Sequence, residues 1–361
     1  MIELPDQTEV EVVDALSEFL AKEAPLARSL QAAQSAAGFD RPLLEQLASL
    51  GFFRLSSDSA AGGLGLSERL VGACCAEAGR VLLGGPWLEQ LLAARLLEAA
   101  GPTGLLDELH RGSVLASLPL AASTWRNPPR ATVCEDGRAQ FAGGSCALGF
   151  ADSVDAWLVP AVDPATGATA VVRVRPEPAR TQPRRGFSTL WREFDVQLAG
   201  ADGAVVGQLG ADRREAHLLD LARLLAMVSV GATAAVLDSA IGYAKLREQF
   251  GRPIGSFQAL QHRLANVFID LEHVQSLAAA TFDPGEQQRL PWLVPMAKVA
   301  ADRLAVSSAG TALQVHGGLG FTWELPVHHY LKEALRRRTV PQPTAVYRGQ
   351  LREQALSYNL Y

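Results

Sequence analysis

Two short stretches in the last third of the chain carry residues that could bind an anion. Residues 247–254 read Arg-Glu-Gln-Phe-Gly-Arg-Pro-Ile, and residues 314–324 read Gln-Val-His-Gly-Gly-Leu-Gly-Phe-Thr-Trp-Glu. Glycines at a helix end, here Gly317 and Gly318, let a ligand approach the backbone, and their N–H groups could bind a pyrophosphate. An ordinary helix C-cap explains the same glycines. From the residues alone, Arg247 is explained as a cation that complements a helix dipole.

Other familiar kinds of site are missing from the sequence. No G-x-G-x-x-G follows a predicted strand and no G-x-x-x-x-G-K-[ST] occurs, so a dinucleotide would have to be held in another way. His316, His328 and His329 lack the spacing of three metal ligands, and we therefore expect structural or solvent-exposed histidines and no metal site. The four cysteines form no C-x-x-C pair, which favours free thiols.

Length and composition limit the kind of fold in which these residues can lie. The chain has 361 residues, 48% hydrophobic and 20% charged, with a net charge of -5. This length predicts two or three domains, and this composition is typical of a soluble protein without a nucleic-acid partner. The first six residues lack the order of a signal peptide, which predicts a cytoplasmic protein. Charges such as Lys298 and Asp302 interrupt the apolar runs, so we expect no membrane span.

Hydrophobic spacing divides the chain into three predicted domains. Apolar residues at steps of three and four predict an α-helical domain over residues 1–111, and short alternating runs between turn residues predict a β domain over 112–212. Residues 213–361 predict a helical bundle. Its first helix, of up to roughly thirty residues, stops at Gly251 and Pro253, and the second is opened by Ser256. The third ends at Gly317 and Gly318, and the fourth starts at Pro326. The fold class is mainly α with a small β domain.

In their order and spacing, the two C-terminal stretches resemble those of the acyl-CoA dehydrogenase family. The glycine-rich segment 51–67 and the segment 144–161 add to the resemblance. The resemblance implies an N-terminal helical domain, a middle β-barrel or sandwich domain and a C-terminal four-helix bundle. It also implies FAD as cofactor, an acyl-CoA substrate from fatty acid or sterol catabolism, a tetramer, and electron-transfer flavoprotein or a similar acceptor.

The resemblance assigns cofactor and substrate roles to particular residues. Arg247 and Gln258 would hold the FAD pyrophosphate across a subunit interface, and Phe250 belongs to the same motif. Gln314, Gly317 and Gly318 would line the adenosine and pyrophosphate end of FAD. Asp220 and Arg223 have the D-x-x-R spacing that contacts CoA in the family. Because residues three apart share a helix face, an internal ion pair between those two side chains explains the same spacing.

The family's catalytic base has no evident counterpart in this chain. In the family a glutamate removes the substrate proton, from a Y-E-G-T segment near the C-terminus or from a position beside the D-x-x-R motif. Here the corresponding residues are Tyr-Arg-Gly-Gln at 347–350 and Ala222. Glu324, Asp220 or Glu215 could serve instead, or the alignment before Gly231 could be in error. A third explanation is that a second subunit supplies the base.

We prefer the third explanation, in which this chain is the base-lacking subunit of a heteromeric α2β2 enzyme similar to bacterial sterol side-chain acyl-CoA dehydrogenases. The β-domain segment 115–120 supports it, because Leu-Ala-Ser-Leu-Pro-Leu replaces the T-E-P-type segment that contacts the flavin ring in the family. The alternatives are a self-sufficient homotetramer with a relocated carboxylate and a non-catalytic stabilising subunit.

Overall fold

The computed structural model describes residues 4, 6–101 and 104–357. Helices fill the N-terminal region, and two of them begin at aspartates that accept a backbone hydrogen bond, Asp6 from Glu9 N and Asp40 from Leu43 N. The fourth helix starts directly after Ser67, where the glycine-rich loop ends. The six helices are α1 (Gln7–Glu23), α2 (Leu26–Ala33), α3 (Arg41–Ser49), α4 (Glu68–Arg80), α5 (Trp87–Ala100) and α6 (Gly104–His110).

Strands dominate the middle of the chain, as the alternating runs predict. They are β1 (Ala116–Ser117), β2 (Ala131–Val133), β3 (Arg138–Phe141), β4 (Ser145–Gly149), β5 (Ala156–Val162), β6 (Thr169–Val174), β7 (Thr181–Arg184), β8 (Glu193–Gln197) and β9 (Asp202–Leu209), with the short helix α7 (Ala122–Arg126) after β1. A six-stranded sheet has the order β1-β5-β6-β9-β3-β2, and a three-stranded sheet has the order β4-β8-β7. Neighbouring strands are antiparallel except β1 and β5. The predicted fold class is confirmed.

Helices return after the strands. They are α8 (Ala211–Leu246), α9 (Gln258–Ala280), α10 (Leu290–His316), α11 (Val327–Arg337) and α12 (Thr344–Ser357), and a small hairpin of β10 (Glu248–Gln249) and β11 (Arg252–Pro253) joins α8 to α9. With 36 residues, α8 is longer than predicted. The prediction that Ser256 opens the second helix is wrong, since Phe257 is the N-cap and the Ser256 hydroxyl donates to Pro253 O. The structure adds α12 to the four predicted helices.

The chain divides into two compact units. One contains the N-terminal segment as far as Leu26, residues Glu68–Leu83 and the chain from Ala222 onward; the other contains Ala27–Ser67 and Gly84–Leu221. The three predicted domains, with boundaries at 111 and 212, remain predictions, and residues 1–3, 5, 102–103 and 358–361 of those domains lie outside the described residues. The helix α8 is long and apolar enough to cross a membrane, but 72% of its most apolar window is buried, so it is a core helix.

Candidate functional site

The stretch after α8 forms a tight two-residue hairpin. Glu248 pairs with Pro253 and Gln249 with Arg252, which leaves Phe250 and Gly251 at the turn with φ of 55° and 75°. Positive φ at both central residues is the geometry of a type I′ turn, which suits glycine and strains a bulky residue. Phe250 is nevertheless 91% exposed. The turn therefore holds an aromatic ring out at the surface instead of burying it.

Three helix ends meet beside this hairpin. At the end of α10 the His316 ring lies 4.5 Å from the Tyr243 ring of α8, between ring centroids. His316 is buried, and its Nδ1 donates to Ala312 O at 2.7 Å, so it is a structural histidine. From α9, Arg263 Nη1 donates to the carboxamide oxygen of Gln314. The predicted residues Arg247 and Gln314 thus sit on helix ends that pack together.

Gly317 ends α10, and its conformation explains why it is glycine. Its φ is 61° and its ψ is -139°, a region that other residues avoid. Its N–H donates to Gln314 O, so the C-cap explanation holds for this residue. A Cβ added to Gly317 or Gly318 would meet no atom of the described residues within 4 Å. Both glycines are exposed, and the open space above their backbone leaves room for a bulky ligand.

The side chains around these helix ends form a cationic and aromatic surface. Arg247 and Gln258 are exposed, and within the described part of the chain no carboxylate pairs with Arg247. Arg252 lies over the Phe257 ring at 4.2 Å from its centroid. Together with Arg263, these guanidinium groups give a donor set that suits a pyrophosphate, because arginine binds phosphate oxygens with two parallel hydrogen bonds. The residues present therefore fit a dinucleotide cofactor.

The carboxylates considered as a base lie in other surroundings. Asp220 accepts from Arg95 Nε at 2.6 Å and from Arg95 Nη2 at 3.0 Å, and both side chains are largely buried. Glu215 accepts from Arg126 at 2.9 and 3.1 Å on the surface. Glu324 is exposed beside Trp323. Guanidinium groups already engage both carboxylates, so Asp220 and Glu215 are poorly placed to approach a substrate as a base.

The two positions where the family places its glutamate contain no acid. Ala222 is fully buried in α8. Residues 347–350 lie inside α12, where the Tyr347 side chain is buried. The connection between α11 and α12, residues 338–343, reads Arg-Thr-Val-Pro-Gln-Pro and has no carboxylate either.

Arg223 is occupied by protein partners in the structure. Its Nη2 donates to Glu68 Oε2 at 2.5 Å, its Nη1 donates to Thr281 O at 3.1 Å, and its guanidinium lies 4.5 Å from the centroid of the Phe282 ring. These contacts explain Arg223 as a structural residue. The role of Asp220 and Arg223 in binding CoA remains a prediction.

Residues 6–104 match the family described as acyl-CoA dehydrogenase, N-terminal domain, and residues 213–355 match acyl-CoA dehydrogenase, C-terminal domain. The chain belongs to the acyl-CoA dehydrogenase family. Members of this family are flavin-dependent oxidoreductases that act on CH–CH bonds. The resemblance inferred from the two C-terminal stretches is confirmed.

Curated relatives align over different lengths. The acyl-CoA dehydrogenase FadE34 of Mycobacterium tuberculosis is 30% identical over 302 residues, which cover 81% of this chain and 39% of that protein. The acyl-CoA dehydrogenase IpdE2 of the same organism is 39% identical over 112 residues, which cover 31% of this chain and 34% of that protein. The aligned regions thus cover little more than a third of the length of either relative.

The fold is shared with solved structures over nearly the whole chain. The ChsE4–ChsE5 complex from Mycobacterium tuberculosis superposes with a TM-score of 0.83 at 24% sequence identity, covering 98% of each chain. This acyl-CoA dehydrogenase fold places the predicted cofactor residues on one end of the helical bundle. Sequence reasoning missed Arg263, because no pattern in the sequence indicated that this residue of α9 faces Gln314 of α10.

Proposed function

We propose that this chain is one subunit of a cytoplasmic, FAD-dependent acyl-CoA dehydrogenase and that a second dehydrogenase-like subunit supplies the catalytic base. The observation that carries the proposal is a contrast within the chain. The residues suited to an anionic cofactor converge at an exposed bundle end, whereas Asp220 and Glu215 are held by arginines and the positions of the family's glutamate contain no acid.

Arg247, Gln258, Gln314 and the glycine pair at 317–318 would hold the pyrophosphate end of the cofactor. FAD, when bound, supplies a hydride acceptor for the dehydrogenation of the acyl-CoA. This chain's own contribution would be to neutralise the pyrophosphate and to orient it. Arg263 contributes by fixing the Gln314 carboxamide oxygen, which leaves the Gln314 amide hydrogens available as donors.

The aromatic residues at the same bundle end support a shared site. Phe250, Phe321 and Trp323 are 91%, 74% and 75% exposed. Large apolar side chains that are exposed near one end of a helical bundle favour an interaction surface. A second subunit that covers them would also enclose a cofactor lying over Arg247, which fits an enzyme assembled as α2β2.

The flavin ring and the substrate would rely on the partner more than on this chain. The segment 115–120, which replaces the family's ring-binding segment, is buried at Leu115, Ala116, Ser117 and Leu118 with 0% exposure. The similar ChsE4–ChsE5 structure is a complex, which favours a second subunit of the same family. The family resemblance implies a sterol-derived or fatty acyl thioester as the substrate. Electron-transfer flavoprotein or a similar carrier would reoxidise the enzyme.

Flavin content tests the cofactor role of Arg247. Arg247→Ala, co-expressed with the partner, should lower the flavin bound per assembled enzyme at least about tenfold, since charge-assisted contacts to phosphate are worth more than about 1.4 kcal/mol. Arg303→Ala serves as the control, because it removes an exposed arginine from the middle of α10 and should leave the flavin content unchanged. Equal flavin in both variants would return Arg247 to a purely structural role.

A further inference from the structure

A cleft lies away from the proposed cofactor end, within the same compact unit. It lies between α1, α4, α8 and α9 and has a volume of about 350 Å³. This is at the lower end of the range of small-molecule sites. Gln258 and Glu272 both belong to α9 and are fourteen positions apart, which corresponds to about 21 Å along the helix axis, so this cleft is separate from the proposed FAD site.

Close helix contact makes the floor of the cleft. A Cβ on Gly231 of α8 would lie 1.8 Å from Ala76 O of α4, so the two backbones touch there, and both residues line the cleft. Apolar side chains surround this floor, among them Val13, Met227 and Leu271. Phe268 stands at the edge and is 52% exposed. The interior therefore suits an apolar group.

The rim of the cleft is acidic. The residues that line the cleft include four carboxylates, those of Asp14, Glu77, Asp238 and Glu272, and one guanidinium, that of Arg80. Arg80 is used by Asp238 at 2.7 Å and by Glu77 at 3.8 Å. In the described part of the chain, neither Asp14 nor Glu272 has a cationic partner. The rim thus has an excess of negative charge on both the α1 and the α9 side of an apolar interior.

From this combination we infer that the cleft binds an amphiphilic cation, a molecule with a short apolar body and one ammonium head. The apolar body would occupy the space above Gly231. The head would lie between Asp14 and Glu272, where no cation of the described residues balances the charge. An anion of the same shape would be repelled by the rim, and a bare ammonium ion would gain nothing from the apolar interior. The inference is independent of the proposed dehydrogenase activity.

Calorimetry with three probes tests the inference on the purified full chain. Octyltrimethylammonium should bind, octyl sulfate of equal chain length should not, and tetramethylammonium should bind at least about tenfold more weakly than the octyl compound because it lacks the apolar chain. The double variant Asp14→Asn, Glu272→Gln should weaken octyltrimethylammonium binding roughly 2- to 30-fold, from two exposed ion pairs of ordinary strength. Asp270→Asn, on α9 outside the cleft, should change it less than about twofold.

Two results would overturn the inference. Equal binding of the cationic and anionic octyl compounds would show that the acidic rim selects nothing. Absence of octyltrimethylammonium binding, together with a change of oligomeric state in the double variant, would assign the cleft to contact with another protein chain instead.

Discussion

Replacing Lys298 with methionine should destabilise the protein severely, because it removes half of a buried ion pair. Lys298 and Asp302 lie one turn apart on α10, and both side chains are 0% exposed. Lys298 Nζ donates to the two carboxylate oxygens of Asp302 at 2.7 and 2.6 Å and to Arg337 O at 2.9 Å. The Thr344 hydroxyl donates to Asp302 Oδ2 at 2.7 Å. The pair therefore joins α10 to the end of α11 and the start of α12.

The size of the effect follows from what each substitution leaves behind. Lys298→Met leaves the Asp302 carboxylate buried without its cation, which costs about 3–5 kcal/mol. The double variant Lys298→Met, Asp302→Leu removes the buried charge as well, and replacing a whole buried pair with apolar residues is often neutral. Thr344 loses an acceptor in that variant, so we expect recovery to within about 2 kcal/mol of the unsubstituted protein.

Urea denaturation followed by far-ultraviolet circular dichroism measures both variants. The reasoning predicts that the single variant is less stable than the double variant by at least about 1 kcal/mol. Lys332→Met serves as the control, because it removes a more exposed lysine of α11 and should cost less than about 1 kcal/mol. A Lys298→Met variant as stable as the double variant would refute the claim that an uncompensated charge dominates.

Three further predictions concern stability. Burial lowers the pKa of His217, which packs against Trp125, from 6.5 to about 4, so between these pH values the folded protein binds fewer protons than the unfolded chain. The free energy of unfolding is therefore fully present above pH 6.5 and falls by about 3 kcal/mol toward pH 4. Denaturation curves at several pH values should show that His217→Phe reduces this loss. Gly231→Ala should lower the free energy of unfolding by about 3 kcal/mol, because the new Cβ would lie 1.8 Å from Ala76 O. The control Gly242→Ala, whose Cβ would meet no atom of the described residues within 4 Å, should leave it unchanged or raise it by up to about 1 kcal/mol. Equal denaturation midpoints for the two variants would contradict this. Phe250→Gly should relieve the strained turn and raise stability by about 1 kcal/mol, and a loss of stability would show that the phenyl ring is held by packing.

Local sequence signals predicted much of the fold because they act over a few residues. Gly317 ends α10 and Pro326 precedes α11, as the capping rules require. The start of α9 was misplaced at Ser256 because a hydroxyl suited to capping instead bonds to Pro253 O in the preceding turn. The residues alone could not distinguish a Ser256 hydroxyl that caps α9 from one that donates to Pro253 O.

The candidate site and its surroundings are built by contacts between residues far apart in the chain. The spacing of residue types along the sequence does not reveal such contacts. Asp220 pairs with Arg95, 125 positions away, although its nearest sequence partner was Arg223. Lys298 and Asp302 were visible as charges that interrupt an apolar run, but their burial became evident only in the packed helices. The cofactor roles proposed for Arg247 and Gln314 rest on family resemblance, and the structure adds that their helix ends pack together.

The decisive comparison is between the chain purified alone and the chain co-expressed with a second acyl-CoA dehydrogenase-like subunit, with flavin content and dehydrogenase activity measured for both. We expect the lone chain to be flavin-poor and inactive on acyl-CoA thioesters, and the co-expressed assembly to bind FAD and to be active. A full complement of FAD with dehydrogenase activity in the lone chain would contradict the account.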